Sequence, residues 1–402
     1  DREVRERAWR LTAERQLTDR ERLNTIWASL VRTRQQIAHN AGYASYRDYR
    51  WRQLLRFNYT PADCLAFHQA VEQVVVPAAR RFLEERRQAL NVETVRPWDI
   101  SVNPWTKEPP RLVSDIDALL KQCAGAFHLI DPHLGSYFET MIQEQLLDLE
   151  DRPFKAHVGY ELPLEVRKRP FIFGHVTSIR DVVWLIFHEA GHAFHVFEMS
   201  RLPYLHQRKE EVMPIEFAEV ASTSMELIGS LYLHSAGFCT EAEAAQLRLQ
   251  HLELVLLQIP LCVRGDAFQH WVYEHPEQAV DPDACDQKWM ELSYRFYPNI
   301  NWHGLEPVLK AGWQQIPHFF GDPFYFIEYA FAAIGALQVW NNYQRDPQTA
   351  LQQYRHALSL GATKPSPELF AAAGAQFKFD EPMLQDILQL ITQNFEELKK
   401  LV

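Results

Sequence analysis

The sequence predicts a mainly α, multi-helical fold with one small antiparallel β-sheet set beside an apolar helix near the middle of the chain. Three observations predict it. Apolar residues recur at three- and four-residue spacing over most of the 402 residues. Between residues 156 and 176 that period gives way to short aromatic and β-branched runs bounded by proline and charge. The run Val182-Val183-Trp184-Leu185-Ile186-Phe187, apolar on every side, follows directly. With 47% hydrophobic and 23% charged residues, the chain can bury a core sufficient for one large or two ordinary domains.

Taken in order, the N-terminal part reads as amphipathic helices, with stripes Leu23, Ile26, Leu30 and Cys64, Phe67, Val71, Val74. Residues 40–49 interrupt them with turn residues and tyrosines. Pro97, Pro104, Pro109 and Pro110 then mark a loop over residues 95–110, which predicts a division into an N-terminal helical part, 1–110, and a catalytic part, 111–402. After two further helices, residues 156–164 and 170–176 form the predicted sheet. Helices are predicted again over 181–199, 214–233, 241–263, 282–296, 324–343, 347–360 and 381–401. No internal repeat or low-complexity tract is visible.

Lys and Arg total 41 against 52 Asp and Glu, a net charge of −11, and no basic run stands out, which argues against nucleic acid and anionic membranes as partners. No stretch reaches the ~18 consecutive apolar residues of a membrane span; the best, 252–263, is broken by Glu253, Gln258 and Pro260. Five separated cysteines without a CxxC pair fit a reducing, cytoplasmic setting rather than a disulfide framework. The opening Asp-Arg-Glu-Val-Arg lacks Met and an apolar signal region, so the start reads as cut.

Chemistry is concentrated in His188-Glu189-Ala190-Gly191-His192, an H-E-x-x-H match. Residues four apart share a helix face, so both imidazoles can serve one ion, and neutral imidazole suits Zn²⁺. Glu189, beside the first histidine, is placed to take a proton from a water without occupying the coordination site. A further histidine six positions past the second, as metzincins have, is absent, since position 198 is Glu. His195 falls a further turn along the helix and reads as a supporting residue. The third ligand is then a carboxylate from residues 214–226, where Glu216, Glu219 and Glu226 compete. Glu219 and Glu226 share a face, so one can ligate while the other supports a ligand histidine.

HEAGHAFH followed by FAEVASTSME resembles the oligoendopeptidase F family, relatives of thimet oligopeptidase. The resemblance implies a multi-helical, zincin-like metallopeptidase holding one Zn²⁺ through His188, His192 and Glu219. It implies Glu189 as base and Glu226 as the carboxylate behind a ligand. Residues 316–329, IPHFFGDPFYFIEY, resemble the region whose His and Tyr side chains stabilise the tetrahedral intermediate. This implies Tyr329 as oxyanion donor with His318, and Tyr325 as a substrate contact. Phe320 and Ile327 depart from the aromatic pattern usual there. The segment PFIFGHVTS matches the edge strand that pairs with extended substrate, which makes Gly174 and His175 candidate substrate contacts. The implied substrates are short unstructured peptides. Members of the family usually begin with a further helical region that has no counterpart in these residues.

Two rival classes remain open at this level: a zinc-containing peptide-binding protein without turnover, and a two-His-one-carboxylate iron oxygenase. An intact Glu189 speaks against the first, and HExxH on one helix against the second. Monomer and homodimer are not distinguished.

Overall fold

Several helices begin where a side chain caps them. Thr60 and Asp63 form a reciprocal capping box around Pro61, and Asp131, Asp281 and Asp346 each accept from a backbone amide beyond the proline that follows them. The computed structural model describes all residues except 107, 109, 110, 210, 211 and 298, so Pro109 and Pro110 of the predicted loop lie outside the described residues.

Several predicted elements differ in detail. Helix Arg20–Asn40 buries Trp27, Val31, Arg34 and Ala38, whereas Ile26 is exposed. The core stripe is thus one position on from the predicted one, because a single buried Trp outweighs two aliphatic residues. Helix Pro61–Ala70 passes through a π-helical turn, Val71–Val75, before Val76–Ala89; the extra residue of that turn buries Val75 in place of Val74. Residues Val182–Phe187 are also π-helical, and the α-helix proper is His188–Met199. Helix Glu241–Glu274 runs through Pro260, as predicted, and continues past the expected end at Val263. The helix predicted from 324 starts at Phe326, because Phe324 adopts a left-handed φ of 67°. Its amide donates to Gln269 at 3.0 Å and its carbonyl accepts from Arg56 at 2.6 Å.

The sheet has three strands, β1 (Leu147–Asp148), β2 (Tyr160–Leu164) and β3 (Arg169–Phe173), in the order β1-β3-β2. β2 and β3 form the expected antiparallel pair, from Tyr160 opposite Phe173 to Leu164 opposite Arg169. β1 adds a parallel pairing, Leu147 with Ile172, that two residues are too few to announce in sequence. The PFIFGHVTS segment, expected at the sheet edge, forms β3 and is instead the central strand, paired with β1 on one side and β2 on the other, so the exposed edge beside it is β2.

The chain divides into two compact units: Asp1–Pro104 with Glu253–Ala330 and Phe379–Leu388, and Trp105–Leu252 with Phe331–Lys378 and Gln389–Val402. One sequence cut after residue 110 does not describe this, since the N-terminal helices close their core with residues 253–330. That first core contains Trp27, Trp289, Trp313, Phe268 and Phe319. Within it Arg86 is fully buried, with Nε 2.7 Å and Nη2 2.7 Å from the two oxygens of Glu253. The second core contains Phe127, Phe138, Phe187 and Phe194, and the sheet residue Ile172 is also fully buried. All five cysteines are buried and none forms a disulfide with another. No helix among the described residues is long and apolar enough to cross a membrane.

Candidate active site

The second unit brings together helices His188–Met199 and Ile215–Gly229. Gly191 makes that approach possible. A Cβ there would lie 2.5 Å from Ser222 Cα and 2.6 Å from the carbonyl oxygen of Ala221, both backbone atoms that cannot step aside.

Across this contact Glu219 Oε2 lies 3.6 Å from His188 Nε2 and 3.6 Å from His192 Nε2. At 3.6 Å these are too long for hydrogen bonds. They are close to the edge of about 3.3–3.5 Å that ligand atoms ~2.0–2.2 Å from a tetrahedral ion would span. One atom from each of the three residues lies within 4.8 Å of the other two, so the donor set fits a divalent cation. Glu219 is buried, and Ser222 Oγ lies 3.1 Å from Oε2 and 3.0 Å from the main-chain oxygen of Glu219, with one proton to share.

Behind the cluster, His188 Nδ1 is 2.5 Å from Glu226 Oε1, and the other oxygen of Glu226 is 2.7 Å from His251 Nε2. A histidine that donates through Nδ1 keeps its Nε2 lone pair free for a cation. His251 in turn stands edge-on to Trp184, with ring centroids 5.3 Å apart. Burial disfavours charge on His188, yet the hydrogen bond and charge of Glu226, with Glu219 and Glu189 adding, lift its pKa to about 10. A cation entering the cluster therefore competes with a proton. Glu226 is held below the ordinary carboxylate range although burial pushes the other way, because His188 and His251 bond to it.

Glu189 is buried, and that burial is the main cause of its raised pKa, with His188 and His192 pulling down. Leu185, on the π-helical turn, seats between two glycines. A Cβ on Gly159 would meet Leu185 Cδ1 at 2.1 Å and Glu189 Oε1 at 3.3 Å, and one on Gly174 would meet Leu185 Cδ2 at 2.6 Å. Gly174 is thus buried under Leu185.

The remaining candidates are distributed as follows. Glu216 is engaged by Ser366 Oγ at 3.3 Å and Glu198 by Arg355 Nε at 2.7 Å, so neither is in the cluster. His195 does not support a ligand by hydrogen bonding: its Nε2 is buried without a partner, its ring meets Phe217 edge-on at 5.9 Å, and burial lowers its pKa to about 3. His175 Nδ1 faces His157 Nδ1 at 3.0 Å, and its Nε2 is 2.5 Å from Asp151 Oδ1. His318, Tyr325 and Tyr329 belong to the first unit, where Tyr329 Oη is 3.2 Å from His318 Nε2 and the Tyr325 ring is 5.3 Å from that of His318.

His251, Ser222 and Arg56 were not singled out in the sequence. His251 comes from a helix 25 residues past Glu226, and nothing in its neighbourhood marks it. The chain is similar to a PZ peptidase A solved with an inhibitor, at 27% identity and a TM-score of 0.90, covering 100% of this chain and 69% of that one. A solved protein named as an oligoendopeptidase F gives 27% and 0.90, with 98% and 69% covered. The oligoendopeptidase F homolog of Borreliella burgdorferi (strain ATCC 35210) is 23% identical over 335 residues; the match takes in 81% of this chain but 54% of that relative's length. The profile of peptidase family M3 matches residues 1–110 and 130–388, nearly the whole chain, and the chain belongs to that family.

Proposed function

We propose that the protein is a zinc-dependent endopeptidase acting on internal bonds of short, unstructured peptides. The observation that carries this reading is the facing of His188 Nε2, His192 Nε2 and Glu219 Oε2 at 3.6 Å with the buried carboxyl of Glu189 next in sequence. His188, His192 and Glu219 would hold one Zn²⁺, which supplies Lewis acidity toward water and carbonyl oxygen when bound. Glu226 fixes the His188 tautomer, and His251 holds Glu226. Glu189 takes the proton of the attacking water and returns it to the leaving amine nitrogen, so its raised pKa suits both halves of the task.

Tyr329 and His318 are proposed as donors to the developing oxyanion and Tyr325 as a substrate contact, on the strength of their match to the family motif and their mutual packing. His175 is proposed as a substrate contact at the end of β3. β2 offers an exposed strand edge for an extended peptide, which binds through its backbone and so with little sequence preference.

The test is mass spectrometry of a mixed-length peptide set incubated with the protein, with and without a zinc chelator. Internal cleavage that stops on chelation is expected, restricted to short peptides. Glu189→Gln should retain zinc and lose about 10²–10⁴-fold in kcat. Cleavage by this variant at near the wild-type rate would remove Glu189 as the base.

A further inference from the structure

A second set of metal-type donors lies in the first unit, outside the proposed peptidase chemistry. Cys64 and His68 are four residues apart on helix Pro61–Ala70, and Asp266 and His270 are four apart on helix Glu241–Glu274, so each pair shares a helix face. One atom each of Cys64, Asp266 and His270 lies within 4.8 Å of the other two. All three residues are buried, with exposures of 0%, 0% and 1%.

A separate observation points to a ligand. Asp266 Oδ1 and His270 Nε2 are buried polar atoms without a hydrogen-bond partner. Native interiors leave few such atoms, and each calls for an explanation. Asp266 Oδ2 is bonded to His68 Nε2 at 2.8 Å, while His270 Nε2 lies 3.2 Å from the same oxygen without hydrogen-bond geometry. An unpartnered carboxylate oxygen and an unpartnered imidazole nitrogen face a thiol in a sealed interior; once the His270 ring proton, held on Nε2 while Nδ1 accepts from Arg47, moves to Nδ1, they match what a cation takes up.

We propose that Cys64, Asp266 and His270 hold a thiophilic divalent cation of the zinc class, with His68 orienting the carboxylate. A thiolate and a carboxylate neutralise the dication where the rings of Trp51 and Phe324, 5.9 and 5.3 Å from that of His270, keep water out. Binding releases the Cys64 thiol proton to solvent. Arg47 Nη1 lies 3.3 Å from His270 Nδ1 and is also paired with Glu274. With Nε2 on the cation, Nδ1 carries the ring proton, and the guanidinium rests on Glu274. The enclosure assigns this site to holding two helices together rather than to turnover.

The experiment uses the full chain, stripped of metal and reloaded with Zn²⁺ or Co²⁺. Zinc content measured by mass spectrometry should be two per chain in the wild type and one in Cys64→Ser, His270→Gln or Glu219→Ala. Co²⁺ should give a thiolate-to-metal charge-transfer absorption that persists in Glu219→Ala and vanishes in Cys64→Ser. Should the Cys64 and His270 variants fail to fold, the wild-type spectrum decides, because only a cysteine ligand produces that absorption. Its absence from the cobalt-loaded wild type overturns the proposal, whatever the zinc ratio. Failure of the peptidase reading would show instead as missing cleavage with this absorption intact.

Discussion

Glu189 and Glu226 are both buried carboxyls on facing helices, yet their surroundings drive them in opposite directions. Burial dominates at Glu189 and raises its pKa, while bonds from His188 and His251 hold Glu226 ionised. A base must be deprotonated to act, and a raised pKa means that protonation sets in sooner as pH falls. The acid limb of kcat/KM should therefore lie above the ordinary Glu value of 4.5, and Glu189→Asp should move it; a limb at or below 4.5 would separate activity from this group. Glu226→Gln should lower zinc affinity about 10–100-fold with Glu189 untouched, as measured by competition with a chelator. At this scale the sequence was informative about HExxH, whose spacing is itself the geometry. Spacing was not informative about which glutamate completes the cluster, and only the family resemblance selected Glu219. Glu216 and Glu219 are equally polar and equally flanked by apolar residues, and only the fold turns the first toward Ser366 and the second toward the histidines.

At the level of elements, two contacts hold the site helices and the Tyr329 helix in place. Gly191→Ala would set a methyl against the backbone of Ser222 and Ala221, at an overpacking cost of about 1–3 kcal/mol. Denaturant unfolding should show that loss together with weaker zinc binding, since the Glu219 helix must shift outward. Arg56 is buried against Glu328 and caps the Phe324 carbonyl, anchoring the start of helix Phe326–Arg345. Glu328→Ala strands a buried guanidinium and should destabilise by about 3–5 kcal/mol in the same assay, whereas a change under 1 kcal/mol would show that water replaces the carboxylate. Neither contact was legible beforehand, because each joins residues far apart in sequence. Local signals did better: the starts predicted at residues 282 and 347 are those of the helices capped by Asp281 and Asp346, and the change of period located the β2–β3 hairpin. They failed where backbone geometry broke the expected period, as in the two π-helical turns, and where a helix ran on past its expected end at Val263 to Glu274.

For the whole molecule, stability should depend on metal. A cation present at 100 times its Kd adds about 2.7 kcal/mol to the state that binds it, so chelation should lower the melting midpoint and Zn²⁺ should restore it. In Glu219→Ala any shift that survives belongs to the Cys64 group, and a midpoint insensitive to chelator in the wild type would contradict both sites. The two units did not follow from a cut expected at residue 110, because a proline-rich stretch shows where a chain leaves a unit and not where it returns. Residues 253–330 rejoin the first unit with no compositional mark. The five enclosed thiols have a use of their own. Burial raises Cys239 to about 11 and Cys285 to about 12, and Cys123 further still, so none of these three is a ready nucleophile in the folded protein. Cys123 and Cys239 belong to one unit, and Cys64, Cys262 and Cys285 to the other. Each alkylation event is then a timestamp of local opening, and peptide mapping of a labelling time course would clock the two units independently in a single tube.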